Sequence, residues 1–371
     1  MGLRDYYRQF EDVDEEELNK ARRERRERER RLALERTPQL DLSSTEWPEL
    51  PDSEVVNAST YTARGRINGY PDRHASGVRR RLAERHEVDP ERIVVGNGAA
   101  ELLQAAAMSL MTPGDELLTP WPSYPLYPLM AARAGGRPVP VDVGDAAADL
   151  GALGDAVTDR TRLVVICNPN DPTGAYIPAE QIAALAAGLP ERVHVVVDEA
   201  LVHFQEIEPL DSVLRLTDAL PRLLVVRTFS KIYGLSGLRA GYAVGSSADA
   251  RLLDAIAPVL GVNALTQAAV AQVLETGDPE IDRRRAAVVE ERHRLLAALR
   301  TMPLDVTDTQ ANFAWICAHG HSGAALANRL QQDSITVAPG GPLGADDHIR
   351  AAIRDAGATN RLLSALEKAL E

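Results

Sequence analysis

The chain has 371 residues, of which 45% are hydrophobic, so it can bury a large core and favours a division into two domains. A net charge of −13 argues against nucleic acid or an anionic membrane as the main partner, because the average field repels phosphates. No apolar run approaches the ~20 residues of a membrane helix, and the charged N-terminus is unlike a signal peptide, so we expect a cytoplasmic protein. Cys167 and Cys317 are isolated, which gives no disulfide framework and no metal site.

Residues 1–38 differ in composition from the rest of the chain. An acidic stretch leads into one rich in arginine and glutamate, and strong helix formers with few apolar positions predict an exposed, charged helical arm. A contact with nucleic acid or a partner is the alternative. We assign this arm no function.

From residue 91 onward, short apolar runs alternate with helical periodicity, which is typical of parallel strands joined by crossover helices. The predicted strands cover residues 92–95, 116–119, 163–167, 193–197, 223–227 and 240–244. A charged helix from 276 to 300, strands at 313–316 and 348–352, and a last helix at 359–370 predict a second, smaller α+β unit. We therefore predict an α/β fold with a large domain of residues 61–275 and a discontinuous small domain of residues 39–60 and 276–371.

Polar clusters follow the predicted strands, where ligands bind in such sheets. The turn Gly98-Ala99-Ala100 leads into a helix, whose first N–H groups can bind an anion. Tyr124 follows another strand and can stack on a flat cofactor ring or pack in the core. The loop 168–174 is polar and fixed by prolines and a glycine. Asp198 ends a buried strand, where its carboxylate needs a cation such as a protonated ring nitrogen.

The last cluster contains Ser230, Lys231 and, eight residues later, Arg239. A lysine that is partly desolvated or near other cations can form a Schiff base with an aldehyde. The forked guanidinium of Arg239 suits a phosphate dianion, and the Ser230 hydroxyl adds a further donor. This cluster predicts a site for pyridoxal 5'-phosphate (PLP), and the alternative is a solvated loop with Lys231 at the surface.

Together these elements resemble the class I/II, fold-type I PLP-dependent aminotransferases, and most of all the histidinol-phosphate aminotransferase branch. The resemblance covers about residue 60 to the C-terminus, and its most specific parts are the lysine-to-arginine element and Asn-Pro-x-x-Pro-Thr-Gly. It implies that Lys231 bonds to the cofactor and moves the substrate proton. The cofactor-binding residues that it implies are Ala99, Ala100, Tyr124, Asp171, Asp198, Ser230, Lys231 and Arg239.

The resemblance also implies a homodimer in which Tyr70 is donated across the subunit interface. In such relatives an arginine before the last helix binds the substrate carboxylate, and Arg350 matches it best, with Arg354 as the alternative. The segment 42–48 differs from the branch's usual Asn-Glu-Asn-Pro, and we expect its Trp47 to face the substrate channel.

Two further positions depart from the family pattern. Asp171 stands where the family usually has asparagine, and Leu201 where it usually has tyrosine. In relatives the asparagine and the tyrosine both donate to the phenolate oxygen of the cofactor. An ionised Asp171 would repel both that oxygen and a substrate carboxylate.

We therefore expect a PLP-dependent aminotransferase of amino-acid biosynthesis. It would transfer an amino group between an amino donor, histidinol phosphate or an amino acid, and a 2-oxo acid such as 2-oxoglutarate. One alternative is a PLP-dependent decarboxylase of an amino-acid phosphate, resembling threonine-phosphate decarboxylase. The other is a non-catalytic binding protein that kept the fold.

Overall fold

A computed structural model describes residues 19–20, 22–25, 38–142 and 150–370. Residues 19–20 and 22–25 are helical, and the rest of the predicted arm up to residue 37 lies outside the described residues. The helices from residue 38 onward are α1 (Ser53–Arg66), α2 (Ser76–His86), α3 (Ala99–Leu110), α4 (Leu126–Arg133), α5 (Leu150–Asp155), α6 (Ala179–Gly188), α7 (Ser212–Arg215), α8 (Ala250–Ile256), α9 (Ala264–Thr276), α10 (Asp278–Leu299), α11 (Gly323–Gln331) and α12 (Ala356–Leu370). The strands are β1 (Leu40–Asp41), β2 (Ile93–Gly96), β3 (Glu116–Trp121), β4 (Arg137–Asp142), β5 (Thr161–Cys167), β6 (His194–Asp198), β7 (Leu223–Thr228), β8 (Gly241–Val244), β9 (Asp305–Val306), β10 (Phe313–Cys317), β11 (Ile335–Thr336), β12 (Ala338–Pro339) and β13 (His348–Ala352).

A seven-stranded sheet in the order β2-β8-β7-β6-β5-β3-β4 forms the centre of the fold. The strands from β7 to β4 are parallel to their neighbours, which confirms the predicted mainly parallel α/β sheet. Strand β8 is the exception, because it runs antiparallel to both β7 and β2. It follows β7 after a short connection without a crossover helix, and such a connection returns the chain in the opposite direction.

The central strands consist of apolar runs because helices cover both faces of the sheet. Every residue of β7 is buried, as is every residue of β6 except the first. One face packs against α3, α4 and α8, with Leu102, Met130 and Leu253 in the core. The other packs against α5 and α6, through Leu153 and Ile182.

Strand β4 is absent from the sequence prediction. It reads Arg-Pro-Val-Pro-Val-Asp, and proline cannot donate to a strand ladder, so the pattern argues against a strand. The structure tolerates both prolines because β4 is at the edge of the sheet and pairs only with β3.

A second, four-stranded sheet in the order β12-β13-β10-β9 is antiparallel throughout. Strand β1 pairs with β11, with Leu40 opposite Ile335, so the segment just before α1 joins the C-terminal part of the chain. One buried cluster contains Tyr242 of the large sheet and Phe313 of the small one. The predicted boundaries of the two domains stay a prediction.

Two predictions from composition concern packing and membranes. Cys167 and Cys317 are both buried, as predicted. Within the described ranges, the helices lack the combination of length and apolar character that spanning a bilayer requires.

Candidate active site

The polar clusters predicted from the sequence meet around one cavity of about 230 Å³. The cavity lies at the carboxyl ends of β5, β6 and β7 and beside the start of α3, because parallel strands end at the same edge of a sheet. Eight predicted residues line it: Ala99, Ala100, Tyr124, Asp171, Asp198, Ser230, Lys231 and Arg239.

One end of the cavity is a cradle of hydrogen-bond donors. Helix α3 begins after Gly98 without a side-chain cap, so its first N–H groups at Ala99 and Ala100 face the cavity region unsatisfied by a capping residue. The guanidinium of Arg239 donates to Ser230 Oγ at 3.3 Å. A Cβ on Gly98 would lie 2.4 Å from Arg239 Nη2, so glycine is what permits this approach. The donor set fits a phosphate dianion.

Asp198 is the last residue of β6 and is only 3% exposed. Tyr127 Oη donates to its Oδ2 at 2.9 Å, and the Ala200 amide donates to its Oδ1 at 3.1 Å. Burial raises the pKa of Asp198 to about 6, although both hydrogen bonds oppose the rise. A protonated ring nitrogen beside this carboxylate would supply the cation that its burial calls for, so the site fits the pyridine ring of PLP.

Lys231 lies in the connection between β7 and β8, and its Nζ donates to Thr45 Oγ1 at 2.5 Å. Burial lowers the pKa of Lys231, Asp171 opposes this change, and the positive charge of Arg350 adds to it. A lowered pKa increases the fraction of neutral amine, which is the form that attacks an aldehyde.

The loop 168–174 is held in place by its own side-chain amides. Asn168 exchanges two hydrogen bonds with the backbone of Ile177, at 2.9 and 2.8 Å. Asn170 donates to Thr173 Oγ1 at 2.9 Å. These contacts fix the predicted rigid loop and place the buried Asp171 in the cavity wall.

The two arginines considered for the substrate carboxylate both contact other groups. Arg350 donates through Nη1 to Asp171 Oδ1 and through Nη2 to the Ser43 carbonyl at 3.1 Å. Arg354 donates to two backbone carbonyls of the segment 43–46. Arg350 is therefore the arginine beside the cavity, which it reaches through Asp171.

Three other positions considered from the sequence differ in where they lie relative to the cavity. Tyr70 is 87% exposed and does not line the cavity of its own chain. Leu201 is buried in the cavity wall where the family has tyrosine. The expectation that Trp47 faces the substrate channel is wrong: Arg284 lies over its ring, 4.8 Å from the centroid, and Glu46 lines the cavity instead.

Sequence reasoning missed Thr45, Glu46 and Tyr127 as site residues. Tyr127 lies three residues after Tyr124, about one helical turn, and this spacing could have indicated a second ring near the site. Thr45 contacts Lys231 across 186 residues of sequence, and no local pattern predicts such a contact.

A donor cradle, a buried carboxylate and a partly buried amine at one edge of a mainly parallel sheet define a PLP-dependent transferase of fold type I. The family model described as "Aminotransferase class I and II" matches residues 37–368. The chain belongs to this family. It is a PLP-dependent aminotransferase that transfers an amino group between an amino donor and a 2-oxo acid, as predicted.

Individual relatives agree with this assignment. The chain is 37% identical over 332 residues to an aromatic amino acid aminotransferase of Corynebacterium efficiens, which covers 88% of this chain and 92% of that protein. Its fold is similar to histidinol-phosphate aminotransferase from Sinorhizobium meliloti in complex with PLP, with a TM-score of 0.80, 27% identity, and coverage of 91% and 93% of the two chains. A tetra mutant of aspartate aminotransferase from Thermus thermophilus shares the fold, with a TM-score of 0.81 at 24% identity, covering 90% of this chain and 97% of that one.

Proposed function

We propose that Lys231, Asp198 and the donor cradle hold PLP and carry out the transfer. The observation that supports this proposal most is that the Lys231 side chain, the Asp198 carboxylate and the cradle line the same cavity. When bound, PLP supplies an electron sink for the carbon that bears the amino group. Lys231 binds the aldehyde carbon and moves the substrate proton. Asp198 keeps the ring nitrogen protonated, and the cradle of Ala99, Ala100, Ser230 and Arg239 anchors the phosphate.

The amino donor that we propose carries a flat ring, aromatic or imidazole. The relative from Corynebacterium efficiens is named for aromatic amino acids and the Sinorhizobium meliloti structure for histidinol phosphate, and both names denote ring-bearing donors. Leu103, Leu201 and Tyr124 line the cavity with apolar and aromatic surface that suits such a ring. The acceptor is a 2-oxo acid such as 2-oxoglutarate, and the setting is amino-acid biosynthesis in the cytoplasm, with the chain divided at the predicted domain boundaries.

The assembly that we propose is a homodimer, in which Tyr70 of the partner subunit contacts the phosphate. Exposed apolar side chains on neighbouring segments support it. Ile67 and Tyr70 are exposed near α1, and Val259 and Leu260 are exposed in the loop that packs against Arg73. Sedimentation of the protein as a monomer at micromolar concentration would contradict this assembly.

Trapping the cofactor tests the role of Lys231. The chain contains three lysines, Lys20, Lys231 and Lys368, so a covalent adduct has few alternative positions. Borohydride reduction of the PLP-loaded protein followed by peptide mass spectrometry should place the phosphopyridoxyl group on Lys231. The variant Lys231→Ala should lose the adduct and turnover, whereas Lys368→Ala, which removes a surface partner of Asp333, should keep both. An adduct elsewhere, or normal turnover by Lys231→Ala, would refute the assignment.

The donor is tested by the two half-reactions. Ring-bearing amines should convert the absorption spectrum of bound PLP to that of pyridoxamine phosphate, and 2-oxoglutarate should reverse the change. Carbon dioxide release without consumption of the 2-oxo acid would instead indicate the decarboxylase reaction.

A further inference from the structure

Carboxylates line the cavity together with the Lys231 amine. Glu46 and Asp171 both line the cavity with Lys231, and Asp171 is buried there. Asp198 has its own hydrogen-bond donors in Tyr127 and Ala200. The cation that donates a hydrogen bond to Asp171 is Arg350, so the two side chains form an ion pair at the cavity wall.

Arg350 is held in place by three contacts. Its Nη1 donates to Asp171, its Nη2 donates to the Ser43 carbonyl, and its guanidinium carbon lies 5.4 Å from the Phe313 ring centroid. The side chains of Arg350 and Asp171 are each only 12% exposed. A largely shielded guanidinium with these partners cannot turn toward a ligand without breaking its contact with Asp171, and it is Asp171 that lines the cavity.

We infer that Asp171 is a specificity-determining residue that withholds Arg350 from ligands carrying a carboxylate beside the reacting carbon. A ligand carboxylate has to compete with Asp171 for the same guanidinium, and the two carboxylates repel each other. A hydroxymethyl group at that position carries no charge, and its O–H can donate to Asp171. The site therefore favours a 2-amino alcohol over the matching amino acid, and in the other half-reaction the 2-oxo acid has to displace Asp171.

Replacing Asp171 with asparagine tests the charge of this side chain separately from its shape. Its side chain has nearly the same size as aspartate and keeps one oxygen to accept from Arg350, but it carries no negative charge. Asp171→Asn should therefore make the guanidinium available to an incoming carboxylate. Because a hydrogen bond to a charged group is worth more than a neutral one, we expect carboxylate binding to tighten roughly tenfold or more.

The test uses two probes with the same ring and chain, 3-phenylpropionate and 3-phenylpropan-1-ol. Each is titrated by calorimetry into the PLP-loaded wild type, Asp171→Asn and Asp278→Asn. The control changes an exposed aspartate that pairs with Arg85 at the surface. Asp171→Asn should tighten the carboxylate about tenfold and leave the alcohol equal or weaker, whereas the control should match the wild type. An equal change for both probes, or weaker binding of the carboxylate, would overturn the inference.

This inference rests on the proposed function, and turnover separates the two. The ratio of kcat/KM for L-phenylalanine to that for L-phenylalaninol should rise about tenfold in Asp171→Asn relative to wild type. If neither donor is turned over by any variant, the proposed donor class fails, while the binding titrations still decide the role of Asp171.

Discussion

Asp198 makes the cofactor-free protein sensitive to pH. Its pKa in the folded protein is raised to about 6 by burial, whereas the ordinary value of 3.8 applies to the unfolded chain. Between these values the folded state binds more protons than the unfolded state, so the free energy of unfolding falls as the pH rises through this window. The variant Asp198→Asn cannot ionise and escapes this loss. It should therefore become more stable relative to the wild type as the pH increases.

The size of the effect follows from the two pKa values. Their difference, at 1.36 kcal/mol per pKa unit, gives about 3 kcal/mol once the pH is well above 6. At pH 5 the cost is already about 1.6 kcal/mol, so about 1.4 kcal/mol develops between pH 5 and pH 8. The amide also preserves the local contacts, because its oxygen can accept from Ala200 and its nitrogen can donate to Tyr127.

The assay is urea unfolding of cofactor-free wild type and Asp198→Asn at pH 5 and pH 8. Asp278→Asn, at an exposed ion pair, measures the general effect of replacing aspartate with asparagine. The stability difference between Asp198→Asn and wild type should shift in favour of the variant by about 1.4 kcal/mol from pH 5 to pH 8. A difference that stays constant, or that shifts the other way, would refute the reasoning.

Two further variants test the phosphate cradle and the hydrogen bond from Tyr127 to Asp198. Gly98→Ala should weaken PLP binding at least tenfold in an absorbance titration, because its Cβ would lie 2.4 Å from Arg239 Nη2. Gly114→Ala is the matched control, since Gly114 has a similar φ of 92° but open space around it, and equal PLP affinity of the two variants would contradict the clash. Tyr127→Phe removes a donor to the buried Asp198 and should lower the free energy of unfolding at pH 8 by about 1–3 kcal/mol. Its effect should shrink below pH 6, where Asp198 is protonated, and a pH-independent loss would indicate packing alone.

The sequence predicted those parts of the fold and site that depend on local patterns. Apolar runs predicted the buried parallel strands, and residues at their ends, such as Asp198, line the cavity because the sheet places those ends together. Strand β4 was not predicted, because its two prolines argue against a strand and are tolerated only at the edge of a sheet.

Contacts between distant segments could not be predicted. The sequence indicated that Asp171 would be unfavourable near a carboxylate, but not that Arg350, 179 residues away, would pair with it. The choice between Arg350 and Arg354 likewise depends on how the small sheet meets the segment 43–46. Periodicity carries no information about such pairs, because side chains from separate elements meet only in the packed fold.

Because β8 runs antiparallel to β7, the connection that carries the Lys231 amine is short. Lys231 lies within the twelve residues 229–240, and the strands on both sides of this connection are fully buried. A chain segment anchored so closely at both ends has little conformational freedom left to lose when its amine is fixed in place. The nucleophile is thereby held in position by two fully buried strands of the sheet, rather than recruited from a long surface loop at each catalytic cycle.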